Sequence, residues 1–330
     1  MKFSIAPYSG DSPMKSWPSL ASSAYCLKDD SSPEDSVFFY DTKKVSGTIS
    51  KDSKKVSGTI LVFIHGLGDE ADSFRHLIPA LASRGYRVLS PDLPGFGRSV
   101  TSKKINIKNH AAAVIKLIEA ATGESGLSGE TPPSPARIFL VGNSMGALIA
   151  ELVAIKRPFL IHGLILIDGS IPGGPAFPGI IGLFKLLFSK KWYRAFRSDP
   201  DAAVFSLFPY YADFNTLPQE DREFLARRVI ERVNSSAQER AFFATQRSLV
   251  FSFFTAPRFT HGMRKFKGKI LLIWGGKDRI IPLSSTEAFM TMRPDTERKI
   301  IPGAGHLPHQ EKPEETEKLI AEFVGKPSMV

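Results

Sequence analysis

From Ile60 onward, apolar and polar positions alternate between two rhythms. Continuous apolar runs, "TILVFIHG", "YRVLSPDLPG", "RIFLVG" and "GLILIDGS", are separated by "SFRHLIPALASRG", "IKNHAAAVIKLIEAATG" and "SMGALIAELVAIKRP", where apolar residues recur at helical spacing. An apolar residue at every position of a run predicts a strand buried on both faces. Amphipathic helices between such strands predict a parallel sheet covered on both sides. The rhythm breaks between Ile171 and about Gly262, where aromatic and basic helical patterns such as "LPQEDREFLARRVIERV" replace the apolar β runs. It resumes with "KILLIWGG", a helix near "LSSTEAFMTM", the strand "ERKIIPG" and a last helix near "PEETEKLIAEFVG". The fold class read from this pattern is α/β: a mostly parallel central sheet flanked by helices. Residues 37–170 and 263–330 form the core, and residues 171–262 a helical insertion between two of its strands.

Residues 1–36, rich in Ser, Pro and Asp and without periodicity, read as a loosely packed, partly disordered N-terminal extension with nothing catalytic in it. After them the heptapeptide "KKVSGTI" occurs twice, at Lys43–Ile49 and Lys54–Ile60. Two copies are too few for a repeat architecture and read as a hairpin or a tolerated duplication, with no functional role.

A chain of 330 residues with 42% hydrophobic composition can bury a core of that size. Its single cysteine, Cys26, forbids an intramolecular disulfide, obliges any metal site to use other ligand types, and suits a reducing compartment. No apolar signal-peptide run and no stretch of about 18 apolar residues is found, so a cytoplasmic protein is expected. The net charge of +10 brings nucleic acid to mind, but the basic residues are dispersed and accompany no nucleic-acid-binding signature, so none is expected as a partner.

The corner between the strand "RIFLVG" and the following helix carries Gly142-Asn143-Ser144-Met145-Gly146, a G-x-S-x-G pentapeptide in strand-to-helix context. Such a turn can lift Ser144 clear of the sheet as a nucleophile and aim the Met145 amide at an anion formed beside it. The plainer alternative is that Ser144 only caps its helix. "HGLG", directly after another strand, offers the Leu67 amide as a second oxyanion donor, with His65 shaping the loop. A serine nucleophile needs a base, and the base an orienting acid. Asp278 in "GGKDRIIP" and His306 in "GAGHLPHQEKPEE" both follow strands, at the sheet edge where Ser144 also lies. Asp168, at the end of "LILIDGS", competes with Asp278 for the role of acid, and His309 with His306 for that of base.

The segments "HGLG", "SPDLPGFGRS", "GNSMG", "GGKDRIIP" and "GAGHLPHQEKPEE", in this order, resemble the α/β-hydrolase superfamily, in particular its cap-bearing esterase, epoxide-hydrolase-like and C–C-hydrolase-like branch. The resemblance covers roughly Ile60–Ile171 and Lys269 to the C-terminus. It implies Ser144 as nucleophile, His306 as general base, Asp278 as its acid, Leu67 and Met145 as oxyanion amides, the insertion as a cap, and neither cofactor nor metal. Serine at the elbow, where dehalogenases and epoxide hydrolases are expected to carry aspartate, points to carboxylic ester cleavage through an acyl-enzyme. C–C bond hydrolysis of a ring-cleavage diketone is the alternative: "GNSMG" looks like the pentapeptide of those enzymes. Their tryptophan near the histidine is replaced here by "HLPHQEKPEE", and no substrate-polarising arginine can be assigned. A non-catalytic receptor on the same fold stands third. An apolar small-molecule ester would meet a lining drawn from Phe184, Phe188, Trp192 and Phe205. The adjoining Lys185, Lys190, Lys191 and Arg194 fit either a solvated face or weak contact with an anionic membrane surface.

Overall fold

The computed structural model describes residues 3–10, 12, 14–29, 32–44, 58–122, 136–169, 190–253 and 256–326. Nine strands form one sheet: β1 (Phe3–Pro7), β2 (Ala24–Asp29), β3 (Ser32–Asp41), β4 (Thr59–Ile64), β5 (Arg87–Pro91), β6 (Arg137–Asn143), β7 (Ile161–Ile167), β8 (Lys269–Gly275) and β9 (Glu297–Ile301). Their spatial order is β1-β2-β3-β5-β4-β6-β7-β8-β9. β1, β2, β3 and β5 pair antiparallel in succession, and β5, β4, β6, β7, β8 and β9 run parallel to one another.

Every residue of β4 is buried, and its side chains divide between two cores. Ile60, Val62 and Ile64 point into one cluster, with α2 (Ile107–Thr122) and α3 (Met145–Lys156). Leu61 and Phe63 point into the other, with α1 (Leu77–Ser83). The period of two along a strand thus serves two helical layers at once. Each fully buried large apolar side chain contributes about 1.5–3 kcal/mol. The edge strand β9 instead exposes Arg298 and Lys299, charges that discourage pairing with another chain.

The N-terminal extension departs from its expected looseness. Residues 3–7 and 24–29 add two strands to the sheet, and Trp17 and Leu20 are buried in the second core. Trp17 packs edge-on against Phe224 and its amide donates to Asp72 Oδ1 at 2.9 Å. Strands of five and six residues, one of them mostly exposed, are too short to register as a periodicity. The doubled heptapeptide falls largely on residues 45–57, outside the described residues; the end of its second copy opens β4.

Between β7 and β8 the described residues are helical: residues 190–195, α4 (Pro200–Phe205), α5 (Gln219–Asn234), α6 (Ser236–Phe253) and α7 (Ala256–Lys265). The chain closes with α8 (Ser285–Met292), α9 (Pro308–Glu311) and α10 (Pro313–Gly325). Among the described residues no helix is long and apolar enough to cross a membrane.

β4 is the switch point of the sheet. From it the chain crosses to β5 on one side and then back past it to β6 on the other. The loops leaving β4 and β6 therefore diverge and open a crevice at the carboxyl edge, the usual place for a ligand in an open α/β sheet.

Candidate active site

Four adjacent strands each deliver one residue to that edge. β6 leads into Ser144, β7 into Asp168, the turn after β8 into Asp278 and the loop after β9 into His306.

Ser144 stands at φ 54°, ψ −119°, a conformation dominated by glycine. Its side chain caps no amide, so the capping alternative has no hydrogen bond behind it. The bend is enforced from below. The Ser144 amide donates to the Ile167 carbonyl at 2.9 Å, and Asn143 Nδ2 donates to the carbonyls of Ile167 (3.2 Å) and His306 (3.3 Å). Gly142 and Gly146 must lack side chains: a Cβ on Gly146 would collide with the Ile64 carbonyl, and one on Gly142 with the Gly146 carbonyl. Asn143, which ties the elbow to the histidine loop, drew no notice in the sequence because its partners lie 24 and 163 positions away.

His306 Nδ1 lies 2.8 Å from Asp278 Oδ2, with both side chains buried. A carboxylate only accepts, so Nδ1 carries the proton and a neutral ring presents Nε2 as a base. Burial alone would raise the Asp278 carboxyl. Its contact with His306, a hydrogen bond with Asp168 and the Ile281 amide together hold it below its ordinary value. Asp278 Oδ1 also accepts from the amides of Ile280 (2.7 Å) and Ile281 (3.0 Å). His306 is therefore joined to Asp278 and not to Asp168, which faces Asp278 instead. His309 lies elsewhere: its Nε2 is 3.0 Å from Ser73 Oγ, its ring packs on Phe74, and burial pushes it down to about 3.

The loop after β4 reaches the elbow, since a Cβ on Gly66 would sit 3.2 Å from Asn143 Oδ1 and 3.4 Å from Ser144 Cβ. His65 shapes that loop as expected. Leu93 N donates to its Nε2 at 2.9 Å, so Nδ1 carries the proton and donates to the Gly66 carbonyl at 2.8 Å. Burial lowers its basicity and keeps it neutral. Among the described residues no carbonyl accepts from the amides of Leu67 or Met145.

Beyond Leu67 the loop meets the helical insertion through buried and half-buried ion pairs that composition could not reveal. Arg232 Nη2 lies 2.6 Å from both Asp69 Oδ1 and Glu70 Oε2, and Arg228 lies 3.3 Å from Glu70 and 3.2 Å from Asp72. Asp72 also receives Arg98 at 2.8 Å.

Phe184 and Phe188 lie outside the described residues. Trp192 and Phe205 are 72% and 63% exposed, and Phe205 leans on Phe208. Among the described residues, the Tyr210 ring centroid lies 6.0 Å from that of His306, and Phe242 lies 3.1 Å from the Cβ position of Gly68 on the loop after β4. Of the basic residues beside Trp192, Arg194 and Arg197 are bound to Glu239 of α6.

Asp168, Asp278 and His306 bring polar atoms within 4.8 Å of one another. The histidine nitrogen that faces this cluster, Nδ1, is already engaged by the direct hydrogen bond to Asp278.

The chain aligns with a 2-hydroxy-6-oxononadienedioate/2-hydroxy-6-oxononatrienedioate hydrolase of Paraburkholderia phymatum at 26% identity, over 81% of this chain and 87% of the relative. In three dimensions it resembles a thermophilic esterase from Thermogutta terrifontis (TM-score 0.66, 23% identity, 92% of this chain and 97% of that one). It also resembles a 2-hydroxy-6-oxo-6-phenylhexa-2,4-dienoate hydrolase from a Rhodococcus strain (TM-score 0.65, 18% identity, 88% and 95%). The sequence model of the alpha/beta hydrolase family matches residues 61–319, the span that holds the elbow, the histidine loop and everything between them, and the chain belongs to that family of hydrolytic enzymes.

Proposed function

We propose that this hydrolase cleaves a neutral, apolar carboxylic ester through an acyl-enzyme. The observation that carries the reading is His306 Nδ1 held 2.8 Å from a buried Asp278 carboxylate, on a loop tied by Asn143 to the strained elbow of Ser144. Ser144 Oγ attacks the ester carbonyl while His306 Nε2 takes its proton. The Leu67 and Met145 amides hold the oxyanion, and one such donor contributes about 3 kcal/mol to lowering the barrier. His306 then protonates the leaving alcohol, and a water it activates releases the acid and restores Ser144. The helical insertion serves as a cap, with Tyr210 and Phe242 offering apolar contact at the site.

The arginines bear on the substrate. Arg228 and Arg232, which reach the loop after β4 from the insertion, are matched by Asp69, Glu70 and Asp72, so they offer no free cation for an anionic substrate. This favours a neutral ester over the dicarboxylate diketones for which the Paraburkholderia relative is named. C–C hydrolysis remains the second reading, supported by that relative's name.

The test is turnover of p-nitrophenyl esters of graded chain length, and of a vinylogous 1,5-diketone, by wild type and Ser144→Ala. Ester turnover lost in Ser144→Ala is expected. Faster cleavage of the diketone would replace the ester reading with the second, and equal negligible rates on everything would remove both.

A further inference from the structure

The proposed triad leaves one buried acid unused. Asp168 ends β7, between the strand that carries Ser144 and the strand that leads to Asp278. It is fully buried, its amide donates to the Ile273 carbonyl at 3.0 Å, and its Oδ1 accepts from the Gly275 amide at 2.9 Å. Its Oδ2 is sealed from water and meets no donor, and its carboxyl faces that of Asp278 in the cluster whose polar atoms lie within 4.8 Å of one another. At φ 44° it is, with Ser144, one of only two non-glycine residues of positive φ among the described residues. Strain of this kind persists where the surroundings over-determine a position, and such positions cluster at functional sites.

Two carboxylates in contact and out of water cannot both ionise. Asp278 has stabilising partners for its charge in His306 and in the Ile280 and Ile281 amides. Asp168 has a single amide, while burial and the negative charges of Asp278 and Glu311 raise it well above the ordinary carboxylate range. One proton shared by the pair therefore resides on Asp168, where it gives the otherwise unpartnered Oδ2 a hydrogen to donate to Asp278.

We propose that Asp168 is a positioning residue: a neutral carboxylic acid that grips the Gly275 amide with one oxygen and donates the proton on the other to Asp278, fixing the carboxylate on which His306 rests. No proton is transferred in turnover; it stays on Asp168 throughout the cycle. This rests on the triad reading above.

The decisive measurement is an infrared difference spectrum of resting wild type against Asp168→Asn at neutral pH. Asparagine keeps both hydrogen bonds, its carbonyl accepting from Gly275 and its amide donating to Asp278. A protonated-carboxyl band present in wild type and gone in the variant is expected, whereas a difference containing only carboxylate bands overturns the proposal. In turnover, Asp168→Asn should keep kcat within about threefold, and Asp168→Ala should lose about tenfold or more in kcat at unchanged KM, as when a group that orients another is removed. Asp168→Ala that loses stability but no kcat reduces the residue to packing and sinks the idea. If the alanine variant does not fold, the asparagine variant and the infrared band decide. A fully active Ser144→Ala would instead refute the triad reading while leaving the band in place, so the two failures are told apart.

Discussion

The elbow stores strain that can be measured without any substrate. At φ 54° and ψ −119°, Ser144 occupies backbone space in which a Cβ is crowded, and it is kept there by its own bond to Ile167 and by the glycines around it. Holding a non-glycine residue in such a region costs about 1–3 kcal/mol. Glycine removes that cost but adds about 0.5–1 kcal/mol of backbone entropy to the unfolded chain. Ser144→Gly is therefore expected to be more stable than Ser144→Ala by about 1 kcal/mol, because alanine loses the same hydroxyl and keeps the Cβ. With a urea dependence of about 2–3 kcal/mol per molar, the midpoints should differ by about 0.3–0.5 M at equal slope. Both variants should be inactive, so the comparison is free of any effect on turnover. A glycine variant no more stable than the alanine variant would falsify the claim that the nucleophile's position is bought with backbone strain.

Asp278→Asn should lower kcat by about 10³–10⁴-fold with little change in KM, since an amide can leave His306 in the wrong tautomer; steady-state kinetics on the best ester checks this. Two buried histidines set an acid limit to stability. His110, 2.9 Å from Thr245 Oγ1, and His309 are both pushed down to about 3 by burial. Their folded-state values lie below the unfolded value, so the unfolded chain binds the extra protons and stability falls as pH drops from about 6.5 toward 3. Each should account for about 2 kcal/mol between pH 7 and pH 5, and urea midpoints at the two pH values should converge in His110→Gln relative to wild type; an unchanged gap would contradict the assignment. Arg232→Met leaves buried Glu70 and half-buried Asp69 without their closest cation and should cost about 3 kcal/mol in urea unfolding, with kcat falling as well because the same loop carries the Leu67 amide.

The parts of this molecule that were legible in the sequence are those fixed by neighbours along the chain. The buried strands β4, β6, β7 and β8 are written as unbroken apolar runs, and Ser144, Asp278 and His306 are each marked by the glycines that shape their own turns. Features decided across the sheet were not legible. Asp168 looked like a rival to Asp278 because nothing local says that β7 and β8 are neighbours whose carboxyls meet. Arg98, Arg228 and Arg232 are dispersed along the sequence, yet Arg98 and Arg228 are buried and Arg232 half-buried against Asp72, Glu70 and Asp69 from distant segments. Trp192 and Phe205 carry no local mark of their exposure, because which face of an insertion helix turns inward is set by packing such as that of Tyr193 and Phe196 on the cluster of Ala203, Val229 and Val233.

One carboxylate couples the insertion to the loop of His306. Glu311 accepts from the amide of Gly305 through Oε1 at 2.7 Å and from that of Ala212 through Oε2 at 2.8 Å, and the His306 amide donates to the Tyr210 carbonyl at 2.8 Å. Residues 210–212 are thus part of the histidine's seat, although by position they belong to the insertion. Under the proposed function, an insertion that swung away from this point would unseat His306, so any opening that admits substrate is expected to pivot elsewhere. The same bonds set a boundary for chimeras: exchanging the insertion with that of a relative should keep Tyr210, Tyr211 and Ala212 with the host, or transplant the histidine loop and Glu311 together with the guest.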